Sequence, residues 1–297
     1  MAIRKSKEDK TFDIINYTIL FIIVLIILYP LYFVVIASVS NPDAVNSGSV
    51  TFWPQGVSFE GYSKLLGDSS IWTGYRNSLI YTISGTFLSV IVTVSAAFGL
   101  SRKNLFGRNF LMGYFVFTMY FSGGMIPLYL TVNNLGLYNN PLVLIILGMV
   151  SVYNMIIART FFQSNLPDEL FEAAEIDGCG TFQFFLRIAI PLSKAIIAVL
   201  VVFYGVAQWN SYFNAMMYIS DQNYYPLQLV LREILLQSRM VEPPTTEGAI
   251  VDLIERQKYA ELIKYGVIIV SSLPVLVVYP FAQKYFVKGV MIGSVKG

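Results

Sequence analysis

Long apolar runs separated by polar segments organise this chain. The first run covers residues 14–37 and contains no Asp, Glu, Lys or Arg. A bilayer core of about 30 Å is crossed by about 20 such residues in a helix, so this run predicts a membrane-spanning helix. Five later runs are also long and apolar and lie at residues 77–100, 110–132, 141–157, 195–217 and 262–281, the last with Lys264 near its start. The pattern therefore predicts an all-α polytopic membrane protein with six transmembrane helices.

Proline and glycine predict where the spans bend, and polar stretches predict the loops. Pro30 predicts a kink in the first span, and Gly123, Gly124 and Pro127 predict a bend or break in the third. Residues 38–74 are predicted to form an external loop with a short helix near residues 62–66. In a second external segment, residues 225–239 predict a mostly apolar helix that either lies on the membrane surface or rests on the bundle.

Lysine and arginine near the span ends predict the orientation. One side of the membrane holds thirteen of them: Arg4, Lys5, Lys7, Lys10, Arg102, Lys103, Arg108, Arg159, Arg187, Lys194, Lys284, Lys288 and Lys296. The other side holds seven: Lys64, Arg76, Arg232, Arg239, Arg256, Lys258 and Lys264. The excess predicts a multi-pass protein of the cell membrane with both termini in the cytoplasm.

The predicted organisation has three parts. Residues 1–75 form the cytoplasmic N-terminus, the first transmembrane helix and the first external loop. Residues 76–287 form the core transmembrane domain, with a cytoplasmic loop at 163–193 and an external loop at 219–261. Residues 288–297 form a cytoplasmic tail.

Composition narrows the chemistry that the chain can perform. It is 56% hydrophobic and 13% charged, against about 25% charged residues in soluble domains. It has no histidine, which is the commonest general base and metal ligand, and no phosphate-binding GxxxxGK[ST] string. We therefore expect no catalytic residue, no metal site, no cofactor bound by this chain and no nucleic-acid partner. The spans also lack the mid-membrane charges that ion-coupled carriers usually keep.

Residues 172–191, EAAEIDGCGTFQFFLRIAIP, are the main polar break between apolar spans. Pro167 suits the first position of a short helix, and Gly178 suits its left-handed end. Four residues spaced three and four apart share one face of that helix, and two of them are alanines that allow a partner surface to approach closely. Those four are Leu170, Ala173, Ala174 and Asp177. With the phenylalanines at 182, 184 and 185, this pattern favours a docking element over a solvated loop.

The same segment carries a resemblance to a known family. Glu172-Ala173-Ala174, then Gly178, then Ile188-Ala189-Ile190-Pro191 resembles the EAA loop of binding-protein-dependent ABC importers. The family usually has Leu where Ile190 stands and often Pro where Ala195 stands. The resemblance extends from about Thr11 to Gly297. The chain is most similar to the second permease of maltose-type importers, within the group that transports oligosaccharides.

The resemblance implies a type I (MetI-like) permease fold driven by separate subunits. The expected partners are a second homologous permease, two ATP-binding subunits that hold ATP and Mg, an extracytoplasmic solute-binding protein, a carbohydrate and the lipid bilayer. The loop would be the coupling helix that docks into the ATPase, and the tail would be a second contact with it. The expected coupling residues are Leu170, Glu172, Ala173, Ala174, Asp177, Gly178 and Pro191.

Neutral polar and aromatic residues within the spans are candidates for the substrate path. Such side chains suit sugars, which offer hydroxyls at the ring edge and C–H bonds on the ring face. The candidates are Tyr204, Gln208, Trp209 and Asn210 in the fifth span, Tyr120 in the third, and Tyr153 and Asn154 in the fourth. Two other interpretations remain open, because Tyr and Trp also anchor helices at the membrane interface and Asn or Gln also bonds neighbouring helices.

The sequence thus predicts a non-catalytic permease subunit of an ATP-driven carbohydrate importer. Two alternatives stay open at this point: a self-sufficient secondary carrier and a non-transporting membrane scaffold. The EAA spacing and the missing membrane charges argue against the carrier. A scaffold would leave the polar cluster around Trp209 unexplained.

Overall fold

A computed structural model describes residues 7–237, 260–280 and 283. Helices dominate this part of the chain, and no strand occurs within those residues. The first seven helices are α1 Lys7–Ser38, α2 Pro42–Asn46, α3 Glu60–Gly67, α4 Ser69–Ser101, α5 Arg108–Tyr120, α6 Met125–Asn134 and α7 Leu142–Ile146. The others are α8 Val152–Asn165, α9 Asp168–Ile176, α10 Thr181–Leu192, α11 Lys194–Trp209, α12 Phe213–Tyr218, α13 Leu227–Gln237 and α14 Ala260–Pro280.

Among the described residues, three helices are long and apolar enough to cross a membrane, namely α1, α4 and α14. The number is five if two bent pairs, α5 with α6 and α10 with α11, each cross once. The α5–α6 pair bends by 111° at Gly123-Gly124, where Gly124 has a φ of +91°. The break predicted for the third span is therefore confirmed. The first span continues as one helix through Pro30, and the kink expected there stays a prediction.

The predicted fourth span, residues 141–157, is divided between α7 and α8 in the structure. Gly148 adopts a left-handed φ of +83°, which ends the first helical segment. The Ser151 hydroxyl then accepts a hydrogen bond from the Asn154 N–H at 3.3 Å and caps the start of α8. The predicted fifth span is likewise interrupted, because α11 ends at Trp209 and α12 begins at Phe213.

The chain divides into two compact units, which are described separately. The first comprises Met1–Ser69 and Glu233–Leu273. Within its described residues, a small core joins the end of α1 to α2 and the following loop through Ile36, Ala37, Val45 and Val50. The Tyr62 hydroxyl of α3, the short helix predicted in this loop, donates to the Ser38 hydroxyl at 2.9 Å.

The second unit comprises Ser70–Arg232 and Pro274–Gly297. The C-terminal half of α4 lies in a hydrophobic core of its described residues, together with α8, α9, α10 and α11. At the other end of α4, the Leu227 N–H donates to the buried Ser78 hydroxyl at 2.8 Å, and Leu227 and Leu229 are almost fully buried. This part of α13 therefore rests on the protein rather than on the membrane surface. The predicted tail 288–297 and most of the external segment after α13 lie outside the described residues.

Candidate functional site

The coupling segment, defined as the predicted loop of residues 163–193, centres on α9, which lies between Pro167 and Gly178. Pro167 has a φ of −62° and a ψ of 152°, so it precedes the helix and does not occupy the predicted first helical position. Gly178 has a left-handed φ of +78°. Its N–H donates to the Glu175 oxygen at 3.0 Å, and the Cys179 N–H donates to the Ala174 oxygen at 2.8 Å. This paired arrangement is a Schellman motif, which confirms Gly178 as the residue that ends the helix.

The four residues predicted to share a docking face do not share one exposed surface. Ala174 is only 8% exposed and belongs to the core of the second unit, and Leu170 packs against the same core. Ala173 and Asp177 are exposed, as is Glu172. The inward side of α9 is thus occupied by the protein itself. The small side chain of Ala174 allows α9 to lie close to that core.

The phenylalanines predicted as a docking patch mostly hold the segment together. Phe184 is fully buried and meets the Phe171 ring edge-on, with ring centroids 5.0 Å apart. Phe185 lies against Phe98 of α4 at 4.9 Å. Phe182 alone of the three remains exposed, at 73%. The aromatic contacts therefore attach α9 and α10 to the end of α4.

Pro191 lies beside a change in helix geometry within α10. Residues Phe185–Ala189 form a wider π-helical turn directly before it. Proline has no N–H to donate and its ring crowds the carbonyl four residues earlier, and such a turn relaxes that crowding. Two residues later the chain bends by 80° into α11, at the fully buried Ser193. Pro191 thus marks the joint between the coupling segment and α11.

Two cations of the turn after α4 contact α9. The Lys103 ammonium lies 2.7 Å from one Asp168 carboxylate oxygen, and the Arg102 guanidinium carbon lies 3.8 Å from the centroid of the Phe171 ring. The hydrogen bond between Lys103 and Asp168 lowers the pKa of Asp168 and raises the pKa of Lys103. Asp168 is also the first residue of α9, where negative charge is favourable. These contacts fix the N-terminal half of α9 against α4.

Two features of this site were not predicted. Ile176 is an apolar residue on the polar side of α9 and is 87% exposed. An open groove of about 640 Å³ lies between the end of α4 and the α9–α10 segment, with Phe98, Arg102, Phe171 and Phe182 among its lining residues. The sequence contained a sign of the exposed Ile176, because an isoleucine next to Asp177 and Gly178 is unusual at a helix end that faces only water.

In the predicted substrate path, Tyr204 and Gln208 connect α11 to other helices. The Tyr204 hydroxyl lies 2.6 Å from the Thr93 hydroxyl and accepts a hydrogen bond from the Ser151 N–H at 3.1 Å. The Gln208 amide donates to the Leu144 carbonyl. Gln208 therefore makes the helix-to-helix bond that was its alternative interpretation. Tyr204 makes bonds of the same kind, although the alternative for a tyrosine was an anchor at the membrane interface.

Trp209 and Asn210 differ in their surroundings. Trp209 is 4% exposed and meets Tyr75 of α4 edge-on at 5.6 Å. Asn210 is exposed, and its amide donates to the Val206 carbonyl of its own helix at 2.8 Å. Both lie at the end of α11 and not within a continuous helix. Asn210 is thus the accessible member of the pair.

The remaining path candidates lie next to helix breaks. Tyr120 ends α5 and is 82% exposed, whereas Tyr153 is 58% exposed in the first turn of α8. Asn154 beside it is buried. The path role of all these residues stays a prediction. Among the described residues, no three acidic or Cys side chains are grouped as a metal ion would require.

The broken apolar helices and the polar helix α9 before α11 define the class of protein as a polytopic membrane permease. Residues 85–292, more than half of the chain, match the family described as "Binding-protein-dependent transport system inner membrane component". The chain belongs to this family.

Relatives extend the match to the whole chain. It is 38% identical to the polygalacturonan/rhamnogalacturonan transport system permease protein YtcP of Bacillus subtilis (strain 168), over 98% of this chain and 100% of that protein. It is 36% identical to protein LplC of the same organism, over 100% of this chain and 98% of that protein. A solved structure, titled "Crystal structure of a bacterial ABC transporter involved in the import of the acidic polysaccharide alginate", superposes with a TM-score of 0.83 and 32% identity, covering 96% of this chain and 100% of that chain.

These similarities confirm the all-α polytopic fold and the assignment as a non-catalytic permease subunit of an ABC importer. Such a subunit works with a solute-binding protein and ATPase subunits. The prediction of a multi-pass membrane protein is confirmed as well.

Proposed function

We propose that this chain is one of two homologous permeases that together form the path for an oligosaccharide. Two ATPase subunits and one extracytoplasmic solute-binding protein complete the importer, and the chain itself binds no cofactor. The observation that supports this best is the 38% identity to the polygalacturonan/rhamnogalacturonan permease along 98% of this chain. The similar structure also comes from a transporter whose title names an acidic polysaccharide.

The coupling segment transmits ATPase movement to the bundle by two routes. One route runs from α9 through Phe171 and Phe184 into α10 and then across the bend at Ser193 into α11. The other runs from Asp168 to the turn after α4. The exposed side of α9, with Glu172, Ala173 and Asp177, is the surface that meets the ATPase. Ile176 adds an apolar contact to it.

The test is reconstitution of the chain with its second permease, ATPases and binding protein in proteoliposomes. Oligogalacturonides and alginate fragments should stimulate ATP hydrolysis and be taken up, whereas maltose-type oligosaccharides of equal length serve as neutral controls. Uptake should require ATP and survive a proton ionophore. Uptake without ATP that collapses with the ionophore would identify a secondary carrier, and assembly without any saccharide-stimulated ATPase activity would favour a scaffold.

Both termini and α9 lie in the cytoplasm in this proposal, as the thirteen-to-seven distribution of Lys and Arg favours. A cysteine introduced at Ser47 should react with an impermeant reagent on intact cells, and one introduced at Ser6 should react only after lysis. The native Cys179, on the cytoplasmic coupling segment, serves as an internal control. The reverse pattern would overturn the orientation.

A further inference from the structure

Arg232 of α13 lies beside the break between α11 and α12. Its guanidinium carbon lies 5.8 Å from the centroid of the Tyr212 ring, within the range of a cation–π contact. Tyr212 directly precedes α12 and is 41% exposed, whereas Arg232 is half-buried. Asn210, the accessible candidate for the substrate path, comes two residues before Tyr212. The cation and the ring therefore border the predicted path.

Packing against two other helices positions α13 at this point. Val230 lies so close to Gly74 of α4 that a Cβ at position 74 would come 3.0 Å from the Val230 Cγ2 atom, which leaves little room for a side chain there. Leu229 lies in a hydrophobic core together with Tyr218 of α12. Arg232 follows both residues by less than one helical turn, so its backbone is held in place before any ligand arrives.

Arg232 has no acidic partner among the residues that the structure describes. Between Lys194 and Arg232 the sequence contains one acidic residue, Asp221. The Asp221 carboxylate accepts bonds from the N–H and from the side-chain amide of Asn223, each at 2.9 Å. A half-buried guanidinium has lost part of its hydration, so an anion beside it is favourable. The surface around Arg232 therefore has an excess of positive charge that an anionic ligand would balance.

The chemistry of this surface favours a carboxylate that is carried by a sugar. A guanidinium presents its N–H donors in a planar fork that matches the two oxygens of a carboxylate. The exposed part of Tyr212 offers an apolar ring and a hydroxyl, which suit the C–H bonds and the hydroxyls of a pyranose. A uronic acid has all of these groups in one sugar residue.

We propose that Arg232 binds a carboxylate of the transported saccharide and selects uronic-acid oligosaccharides over neutral ones. This inference rests on the proposed function and names the substrate class of the same path. Arg232 is then a specificity-determining residue, because a neutral sugar leaves the half-buried charge without a partner. Tyr212 supports the guanidinium and contacts the sugar ring.

Arg232→Gln in the reconstituted importer tests the proposal. The two substrates are trigalacturonate and its methyl ester, which have the same length and differ in charge. At sugar concentrations below KM, we expect the variant to take up trigalacturonate about tenfold more slowly than wild type, as the loss of a hydrogen bond to a charged group implies. Uptake of the ester and the melting temperature of the complex should stay unchanged. Variant and wild type are compared for one sugar at a time, so the preference of the solute-binding protein cancels.

Two further variants serve as controls. Arg232→Lys keeps the charge but loses the planar fork, so it should recover part of the trigalacturonate uptake. Lys64→Gln removes a positive charge from an exposed residue of α3 and should leave the uptake of both sugars unchanged. Together they separate a local contact with the carboxylate from an effect of the net charge of the protein.

Three results would overturn the proposal. Equal loss of uptake for both sugars, with a lower melting temperature, would assign Arg232 a packing role. Weaker binding of the sugar-free solute-binding protein by the Arg232→Gln complex would assign the residue to that protein interface. Uptake of neutral sugars alone by the wild-type importer would contradict the acidic substrate class and leave the permease function intact.

Two other outcomes of the wild-type experiment are also decisive. If wild type takes up trigalacturonate but not the ester, the proposal requires that Arg232→Gln still lowers trigalacturonate uptake while it binds the sugar-free solute-binding protein normally. If wild type shows no ATP-driven uptake of any saccharide, the proposed function itself fails, and the inference about Arg232 fails with it.

Discussion

The Lys103 ammonium lies 2.7 Å from an Asp168 carboxylate oxygen and joins the turn after α4 to the first residue of α9. Arg102 reinforces the contact by lying over the Phe171 ring one turn further along α9. The Arg102 side chain is only 14% exposed, so its guanidinium packs against the Phe171 ring and also lies near the Asp168 carboxylate. Helix α4 also supplies Phe98 to the aromatic contacts of α10. Helix α9, the proposed coupling helix, is therefore attached directly to the apolar helix α4, which precedes it in the chain.

We expect Asp168→Asn to lower the sugar transported per ATP hydrolysed about twofold to fivefold while the melting temperature of the complex stays unchanged. The pair is exposed, and exposed ion pairs contribute little to the stability of the fold because solvent screens them. The matched control is Glu60→Gln, which removes the similarly exposed Lys64–Glu60 pair of α3 (2.9 Å) and should leave the coupling ratio unchanged. An unaltered ratio in Asp168→Asn would remove this contact from the mechanism.

The pH dependence of this ion pair follows from its two pKa shifts. Lys103 holds the pKa of Asp168 below its usual value, so the contribution of Asp168 is present above about pH 4 and is lost as the pH falls through its folded-state pKa. Asp168 raises the pKa of Lys103, so the contribution of Lys103 is present below about pH 10 and is lost as the pH rises through the raised pKa. Between about pH 5 and about pH 9, the ratio of wild-type to Asp168→Asn coupling should therefore stay constant. A change in this ratio near neutral pH would assign the titration to other groups.

The two alanines of the EAA segment should respond differently to a charge. Ala173 is exposed, so Ala173→Asp should leave the complex folded and reduce both uptake and saccharide-stimulated ATPase activity. Ala174 is 8% exposed, so Ala174→Asp buries a carboxylate in the core and should lower the melting temperature as well. Purified complexes measured for melting and for ATPase activity separate the two effects. Equal loss of melting temperature in both variants would contradict the assignment of Ala173 to the docking surface.

Ile176 offers a test of the docking surface without any change of charge. Because it is 87% exposed, Ile176→Ser should not destabilise the permease itself. It should weaken the permease–ATPase contact about tenfold, since burial of an aliphatic side chain contributes about 1.5 kcal/mol or more. Val57→Ser, an exposed aliphatic change in the loop between α2 and α3, is the control. Normal ATPase binding by the Ile176→Ser complex would show that this residue does not contact the ATPase.

Local sequence signals predicted the coupling helix and the break of the third span. Gly178 ends α9 because a left-handed residue is needed there, and Gly124, with a φ of +91°, allows the break directly before α6. These features depend on one residue and its neighbours, so the sequence contains them. A positive φ at Gly148 also marks the turn between α7 and α8, but the surrounding residues are apolar, so the sequence pattern predicted one continuous span.

The direction in which side chains point was harder to predict. Helical spacing placed Leu170 and Ala174 on the same helix face as Asp177. Contacts with the rest of the protein bury the first two and leave Asp177 exposed, and spacing alone does not reveal this. Phe98 lies about 70 residues before Phe171 in the sequence, and its position against α10 cannot be derived from periodicity. The same holds for Tyr75, which lies against Trp209. A polar or aromatic cluster in a span therefore indicates contacts but not whether a ligand or a helix makes them.

Trp209 and Asn210 now make different predictions for the substrate path. Trp209 is buried against Tyr75, so Trp209→Ala should leave a cavity that costs about 3 to 5 kcal/mol. We expect its melting temperature and its uptake to fall together, which makes this variant a test of packing. Trp209→Phe keeps most of the volume and should recover much of both.

Asn210 is the cleaner probe, because it is exposed and its side-chain amide bonds only the Val206 carbonyl of its own helix among the described contacts. Asn210→Ala should therefore leave the melting temperature unchanged. If Asn210 contacts the sugar, uptake should fall about tenfold, as the loss of a hydrogen bond of about 1 to 1.5 kcal/mol implies, while basal ATPase activity persists. Asn223→Ala, at another exposed asparagine outside the predicted path, controls for the loss of an amide. Unchanged uptake in Asn210→Ala would exclude Asn210 from the path and leave Trp209 with its packing role alone.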